Sequence, residues 1–308
     1  MCLTKFQSRL RTLALLAVTA PFGCGNADTD MQAIADAHVH FKWSQAEVID
    51  AEGAIATLRR QNVATAVVIG TPAEYALRLA ALDPERIVAI YGPYKARRNW
   101  AQWMGDPELL VDARSALESG AYHGIGELHL IGGFSPRKAR RVVIDGVLDL
   151  GAEFNVPVML HTEFSRPGLF LELCRRHPDT RILWTHAGAL LPPKRVREVL
   201  ESCPNVWADL AARDPWRFVN NPVADAETGR LLPDWEQLIL DYPERWLIGS
   251  DNVWPVDQLD RWDEPDTGWQ ELGRFLGFHR RWLGFLPKDI ARKVGLENAR
   301  KLFARHAE

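Results

Sequence analysis

The segment Asp36-Ala37-His38-Val39-His40 sets an acid and two imidazoles at alternate positions. In a strand, residues two apart project from one face, so Asp36, His38 and His40 are expected to point the same way. Two converging imidazoles form half of a zinc-type site. Taken alone, the triplet reads equally well as a hydrogen-bonded pair in a core. Later segments change the balance: Glu127 closes Gly124-Ile125-Gly126-Glu127, His161 lies in Val158-Met159-Leu160-His161-Thr162, His186 in Trp184-Thr185-His186-Ala187-Gly188, and Asp251 closes Ile248-Gly249-Ser250-Asp251. Each ends a short apolar run. Buried carboxylates and imidazoles cost several kcal/mol unless paired or metal-bound, so five runs ending in such groups point to a shared cation more than to packing. A divalent ion lowers the pKa of its bound water from 15.7 toward about 7, which makes a nucleophile available at neutral pH.

The elements that must position these residues are legible as alternating runs. Eight short apolar stretches, Ile34 to His40, Val63 to Gly70, Ile87 to Gly92, His123 to Leu128, Val156 to Thr162, Arg181 to His186, Val206 to Leu210 and Trp246 to Asp251, are separated by longer amphipathic ones. The runs are dense in Val, Ile, Leu and Ala without strict alternation, as expected of parallel strands covered on both faces. Between them, Val143, Val147, Leu150 and Phe154 recur at helical steps, and Val48, Ile55 and Leu58 mark a similar stripe. Eight such units predict an α/β fold of the (β/α)8 TIM-barrel type, in which the strands' C-terminal ends meet at one mouth where catalytic residues collect. An open doubly wound sheet fits less well, and no Gly-x-Gly-x-x-Gly opens the first unit. Two stretches, Tyr91 to Asp106 and Arg213 to Asp234, are long enough to lie over that mouth as lids.

The Asp-x-His-x-His opening, the single histidines ending the fifth and sixth strands and Gly249-Ser250-Asp251 ending the eighth closely resemble the amidohydrolase superfamily of metal-dependent hydrolases. Within it, Trp254-Pro255 after Asp251, and the closing Glu297-Asn298-Ala299-Arg300-Lys301-Leu302-Phe303, look like the amidohydrolase-related branch, which also holds the aminocarboxymuconate-semialdehyde decarboxylases. The likeness spans residues 34 to 303. It implies that His38 and His40 bind a buried metal with Asp251 as a further ligand. In one-metal relatives the counterpart of His161 completes the shell and that of His186 polarises the substrate. In two-metal relatives both bind the second ion and a fourth-strand carboxylate or modified lysine bridges the pair; Glu127 stands at that place. One or two ions are therefore open, with zinc the first choice and manganese, iron or cobalt as alternatives. Asp251 is expected to take the proton of the activated water and return it to the leaving group, while His186 or the second ion meets the developing oxyanion. Asp36 lies deeper in its strand and is expected to orient the ligands without joining them.

The composition is that of an ordinary globular chain: 308 residues, 47% hydrophobic, 25% charged, net charge -3. No cluster of Lys and Arg marks a nucleic-acid surface. Lys5, Arg9 and Arg11 before the apolar stretch Leu13 to Ala20 resemble an export signal over residues 1–23. Residues 24–30 then read as a linker and 31–308 as the barrel. Gly23-Cys24 resembles a lipoprotein processing site, so the expected location is the periplasm or, through a lipid on Cys24, the membrane surface; an ordinary secreted form cut near residue 25 is the alternative. Removing residues 1–23 takes away three positive charges and moves the net charge to -6. Cys174 and Cys203 are read as separately buried residues, although an oxidising compartment permits a pair. The expected partner is a small molecule, carboxylated or aromatic. Lys95, Arg97, Arg98, Arg166 and Arg213 are candidates for carboxylate recognition, and Trp43, Tyr94, Trp100, Trp103, Trp216 and Trp254 for an aromatic pocket. His123, His129, His177, His279 and His306 receive no role, although His129 shares parity with Glu127. The expected activity is hydrolysis of an amide, ester, lactone or related bond, with a metal-dependent decarboxylase as the alternative. Oligomeric state is not legible.

Overall fold

All eight apolar runs become strands: β1 (Ile34–Lys42), β2 (Val63–Thr71), β3 (Ile87–Ile90), β4 (Ile125–Leu130), β5 (Val158–Thr162), β6 (Ile182–Thr185), β7 (Val206–Asp209) and β8 (Trp246–Leu247). The structure is a computed structural model and describes residues 31–95, 102–130, 138–162, 167–217, 221–254 and 265–304. The expected signal and linker, Cys24, Arg97, Arg98, Trp100, Arg166, Pro255 and His306 lie outside the described residues. The chain divides into two units, Met1–Met31 and Gln32–Glu308; the strands belong to the second.

The eight strands pair in parallel, in the orders β1-β2-β3 and β4-β5-β6-β7-β8. Backbone hydrogen bonds join the two sets at both edges. On one side Tyr91 N donates to Gly124 O at 2.9 Å and Gly126 N to Tyr91 O at 3.0 Å; on the other Ala37 N donates to Ile248 O at 2.9 Å and Asp251 N to His38 O at 2.8 Å. This is the expected (β/α)8 arrangement, and it brings the C-terminal ends of β1, β4, β5, β6, β7 and β8 to one end.

The helices form where the apolar periods predict. In α1 (Trp43–Ala46) a single turn leaves β1. In α2 (Ala51–Arg60) Asp50 caps the N-terminus by accepting from Gly53 N at 2.8 Å, Glu52 sits in the first turn and Arg59 and Arg60 in the last, each complementing the helix dipole. Ile55 and Leu58 are its buried stripe, whereas Val48 precedes the helix. The remaining helices are α3 (Glu74–Leu82), α4 (Glu108–Glu118), α5 (Lys138–Glu153), α6 (Gly168–Arg176), α7 (Pro193–Ser202), α8 (Pro233–Asp241), α9 (Leu272–Leu283), α10 (Lys288–Arg292) and α11 (Asn298–Leu302). Val143, Val147 and Leu150 of α5 are buried as their spacing requires.

Two apolar clusters follow. The larger packs helices onto the outer strand faces. The smaller draws Ala37, Val67, Ile90, Met159, Leu183 and Leu247 from six strands, sealed by Leu302 and Phe303 at the end of α11. Asn298 anchors that end by donating from Nδ2 to the carbonyls of Pro243 and Trp246, both at 2.8 Å. Cys174 in α6 and Cys203 at the end of α7 form a disulfide with Cα atoms 6.0 Å apart, which corrects their reading as separate buried residues. Sequence spacing could not show that two neighbouring helices face each other there.

Candidate metal centre

Alternation along β1 breaks before it reaches the site. The β1–β2 register shifts between Asp36 and Val39, and the β4–β5 register between Ile125 and Leu128, so irregularities bracket both His38 and Glu127. Such bulges re-aim side chains beside functional sites. At β4 the chain depends on Gly126: its φ is +143°, and a Cβ there would stand 2.6 Å from Met159 Cβ and 2.8 Å from Met159 O.

The re-aimed side chains converge. His38 Nε2 and His40 Nε2 face each other at 3.1 Å, and Asp251 Oδ1 lies 3.2 Å from the second and 3.9 Å from the first. Glu127 Oε1 lies 2.8 Å from His161 Nδ1 and 3.3 Å from His186 Nε2. The two sets share an edge, because Glu127 Oε2 is 3.4 Å from His38 Nε2 and 3.5 Å from His40 Nε2. Within each set, His38, His40 and Asp251 or Glu127, His161 and His186, one ligand atom per residue lies within 4.8 Å of the others. All six predicted ligands are therefore brought together, and His40 and His161 are the most exposed among them, at 12% and 11% of their side chains.

Electrostatics follow from that crowding. Burial works against charge on both partners, but Glu127 and Asp209 outweigh it at His38 and hold its pKa well above 6.5; Asp251 and Glu127 raise that of His40. Conversely, burial would raise the Glu127 and Asp251 carboxyls, yet the imidazoles around them hold both well below the usual range. Facing imidazole nitrogens and ionised carboxylates, closed from water, form a donor set suited to a divalent cation.

Several residues that the sequence reading passed over hold this set in place. Asp209, at the end of β7, places Oδ2 3.1 Å from His38 Nδ1 and accepts from the backbone N of His186 at 2.9 Å and of Ala211 at 3.1 Å. It also forms a third cluster with His38 and His186, but its bond to His38 uses the ring nitrogen turned away from His40, so it orients the imidazole. Its position at the end of the seventh run was the available signal. Thr185 Oγ1 donates to Glu127 Oε1 at 2.8 Å. Asn252 clamps the backbone of His40, accepting from its N at 2.7 Å and donating to its O at 3.2 Å. Asp36 accepts from the backbone N of Ser250 at 2.8 Å and of His38 at 3.3 Å. It thus orients the ligands as expected, while burial lifts its carboxyl to about 6.

His186 and Asp251 both take left-handed backbone conformations, at φ 56° and 43°, which a non-glycine residue holds only when its surroundings enforce them. Two buried arginines do so. Arg213 donates to the carbonyls of His186, Ala187 and Leu191, and Arg217 to those of Ser250 and Asp251 at 2.8 and 2.6 Å. Arg213 is fully buried, which removes it from carboxylate recognition, and the start of the segment expected as a lid is a packed brace. His279 supports the same exit from β8, its Nε2 lying 2.9 Å from Gly249 O. Lys95 is exposed and paired with Asp112 of α4. Trp254 is half-buried, with the Arg274 guanidinium 5.7 Å from its ring and 4.6 Å from that of Trp216. Tyr94 and Trp103 converge instead on His129.

The Amidohydrolase family model matches residues 14–305. The chain belongs to that family. Amidohydrolases are divalent-metal-dependent hydrolases, and the ligand groups above are this chain's candidates for the ion. No curated protein matches the chain. Solved structures share its fold at low identity. An uncharacterised TIM-barrel protein from Bordetella bronchiseptica is 14% identical with a TM-score of 0.55, covering 84% of each chain. A mutant PTE-like lactonase from Deinococcus radiodurans is 14% identical with a TM-score of 0.56, covering 88% of this chain and 95% of its own. An amidohydrolase from Burkholderia multivorans is 18% identical with a TM-score of 0.51, covering 89% and 99%.

Proposed function

We propose that this amidohydrolase hydrolyses a lactone, ester, amide or related bond of a small molecule with two divalent ions, zinc by preference. His38, His40 and Asp251 would hold one ion and His161 and His186 the other, with Glu127 lying between the two sets. The observation that carries this reading is the Glu127 carboxylate: its two oxygens face different imidazole pairs at 2.8–3.5 Å. A bound ion supplies acidified water and positive charge at the reacting bond. Asp251 would take the proton from the attacking water and pass it to the leaving group; the surrounding imidazoles hold its carboxyl well below the usual range and so keep it ionised. Asp209 and Thr185 fix the imidazole and carboxylate orientations through the reaction. The fold shared with a PTE-like lactonase adds a reason to begin with lactones. The leader-like segment at residues 1–23 supports export, with or without a lipid on Cys24.

The test pairs elemental analysis of the purified protein with a screen of lactones, esters, amides and carboxylated aromatics in 18O-labelled water. About two transition-metal ions per chain and label in the acid product are expected. A chain that holds no such ion after reconstitution overturns the reading. Release of carbon dioxide without uptake of label would identify the decarboxylase alternative instead.

A further inference from the structure

The β8 side of the mouth carries a cation that the fold does not consume. Arg274 sits in the first turn of α9, and the β8–α9 connection leaves the sheet at the same end as the ligand groups, so Arg274 lies on the catalytic side of the barrel. Its guanidinium carbon stands 4.6 Å from the ring centre of Trp216 and 5.7 Å from that of Trp254. Both rings are tied to the strand exit that presents Asp251. Trp254 follows Asp251 by three positions and packs on Phe275, with ring centres 6.3 Å apart. Trp216 is the chain neighbour of Arg217, which donates to the carbonyls of Ser250 and Asp251 and covers the same Phe275 at 3.9 Å. Trp254 is held at both backbone groups, its N donating to Asp266 Oδ1 at 3.0 Å and its O accepting from Thr267 N at 2.9 Å. Asp266 is itself buried, accepts from Gly268 N at 2.8 Å, donates its backbone N to Ser44 O at 2.9 Å and pairs with Lys42 Nζ at 2.7 Å. The aromatic wall is therefore fixed before any ligand arrives.

Neighbouring cations are committed to the fold: Arg213 and Arg217 to backbone carbonyls, Lys42 to Asp266. Arg274 is not committed in this way. Among the described residues its ion-pair partner is Glu271, whose Oε2 lies 3.6 Å from Nη1, too far for a hydrogen bond, and 46% of the Arg274 side chain is exposed. A guanidinium lying against aromatic faces keeps its N–H groups directed outward in its own plane, where their fork matches the two oxygens of a carboxylate. We propose that Arg274, with the indoles of Trp216 and Trp254, forms a substrate subsite for a carboxylate carried on an apolar or aromatic skeleton. The subsite rests on the hydrolytic reading above and names its substrate class: an ester, lactone or amide that also bears a free carboxylate, gripped by Arg274 while the scissile bond meets the metal centre.

The test reads a preference, which cancels any loss of active protein. Hydrolysis of the ortho, meta and para acetoxybenzoates is compared with that of the corresponding acetoxybenzamides, neutral molecules of the same shape. In metal-loaded wild type at least one isomer is expected to favour the carboxylate by about tenfold to a hundredfold in kcat/KM, carried by KM, the range for a charge-assisted hydrogen bond. Arg274→Gln should bring that ratio close to one with bound metal and circular dichroism as in wild type, and Arg274→Lys, which keeps the charge without the fork, should fall between. A ratio near one in wild type for every isomer, or a ratio that survives in Arg274→Gln, overturns the subsite. Calorimetry separates it from the hydrolytic reading: phthalate, isophthalate or terephthalate should bind metal-loaded wild type about tenfold tighter than benzoate, and Arg274→Gln should lose the difference. Absence of turnover of every ester would count against the hydrolytic reading alone, and binding then decides the subsite; dicarboxylates no tighter than benzoate, or as tight in Arg274→Gln, overturn it.

Discussion

In the proposed mechanism Asp251 is the residue on which the chemistry turns; its Oδ1 lies 3.2 Å from His40 Nε2. Asp251→Asn keeps its shape and removes its basicity, so kcat should fall by several orders of magnitude in a protein that still folds by circular dichroism; near-normal turnover would remove Asp251 from the mechanism. Asp209→Asn acts at one remove. Losing the carboxylate behind His38 should weaken metal affinity or activity by about tenfold to a hundredfold, read by chelator competition beside wild type. The protons on the site give a pH dependence of definite sign. His38 and His40 have pKa values raised above 6.5 by their carboxylate neighbours, so in metal-free protein they hold protons that an ion must displace. Affinity should rise with pH through the region above 6.5, and calorimetry in buffers of different ionisation enthalpy should record proton release. His38, His40, His161, His186, Glu127 and Asp251 were all legible from strand-end position and motif. Asp209 was legible only in principle, and Thr185 and Asn252 not at all, because a hydroxyl or an amide beside a motif looks like any other until its partner is known.

At the scale of elements, the site depends on how closely two strand exits approach. A Cβ at Gly249 would stand 2.6 Å from His38 Cβ and 3.1 Å from its backbone N, closer than real side chains come. Gly249→Ala should push β8 off β1 and separate Asp251 from His40, lowering kcat/KM by about a hundredfold or more with little change in helix content. Wild-type turnover in that variant would show that the exits have slack. The register shifts at His38 and Glu127 belong to this scale too. Strict alternation predicts that Asp36, His38 and His40 share one face; the bulge breaks that pattern and leaves Asp36 on the backbone of Ser250 instead of among the imidazoles. The eight strands were readable because fully buried parallel strands are continuous apolar runs. Bulges carry no such mark in composition.

At the scale of the molecule, a covalent bond ties α6 to the end of α7. Cys174 and Cys203 are 29 positions apart, and closing a loop of that size restricts the unfolded chain by about 3–4 kcal/mol in the chain-entropy account. Cys174→Ser should lower Tm by on the order of 5 °C for a unit of this size, and a reductant should have the same effect on wild type but none on the variant. An unchanged Tm in both would show that the bond adds no stability. The disulfide also accords with the proposed export, since such bonds persist in oxidising compartments.

The sequence alone determined the eight-unit plan, the family and the identity of the six ligand candidates. Apolar periodicity and strand-end chemistry are local properties, and each survives in a string of letters. The tertiary structure decided how Glu127 divides its two oxygens, that Arg213 braces a turn instead of meeting substrate, and that Tyr94 and His129, 35 positions apart, meet in a hydrogen bond. Those facts are distances between residues remote in the chain. A closed sheet sets them by bringing every strand end to one rim, where a shift of an ångström changes which atom faces which.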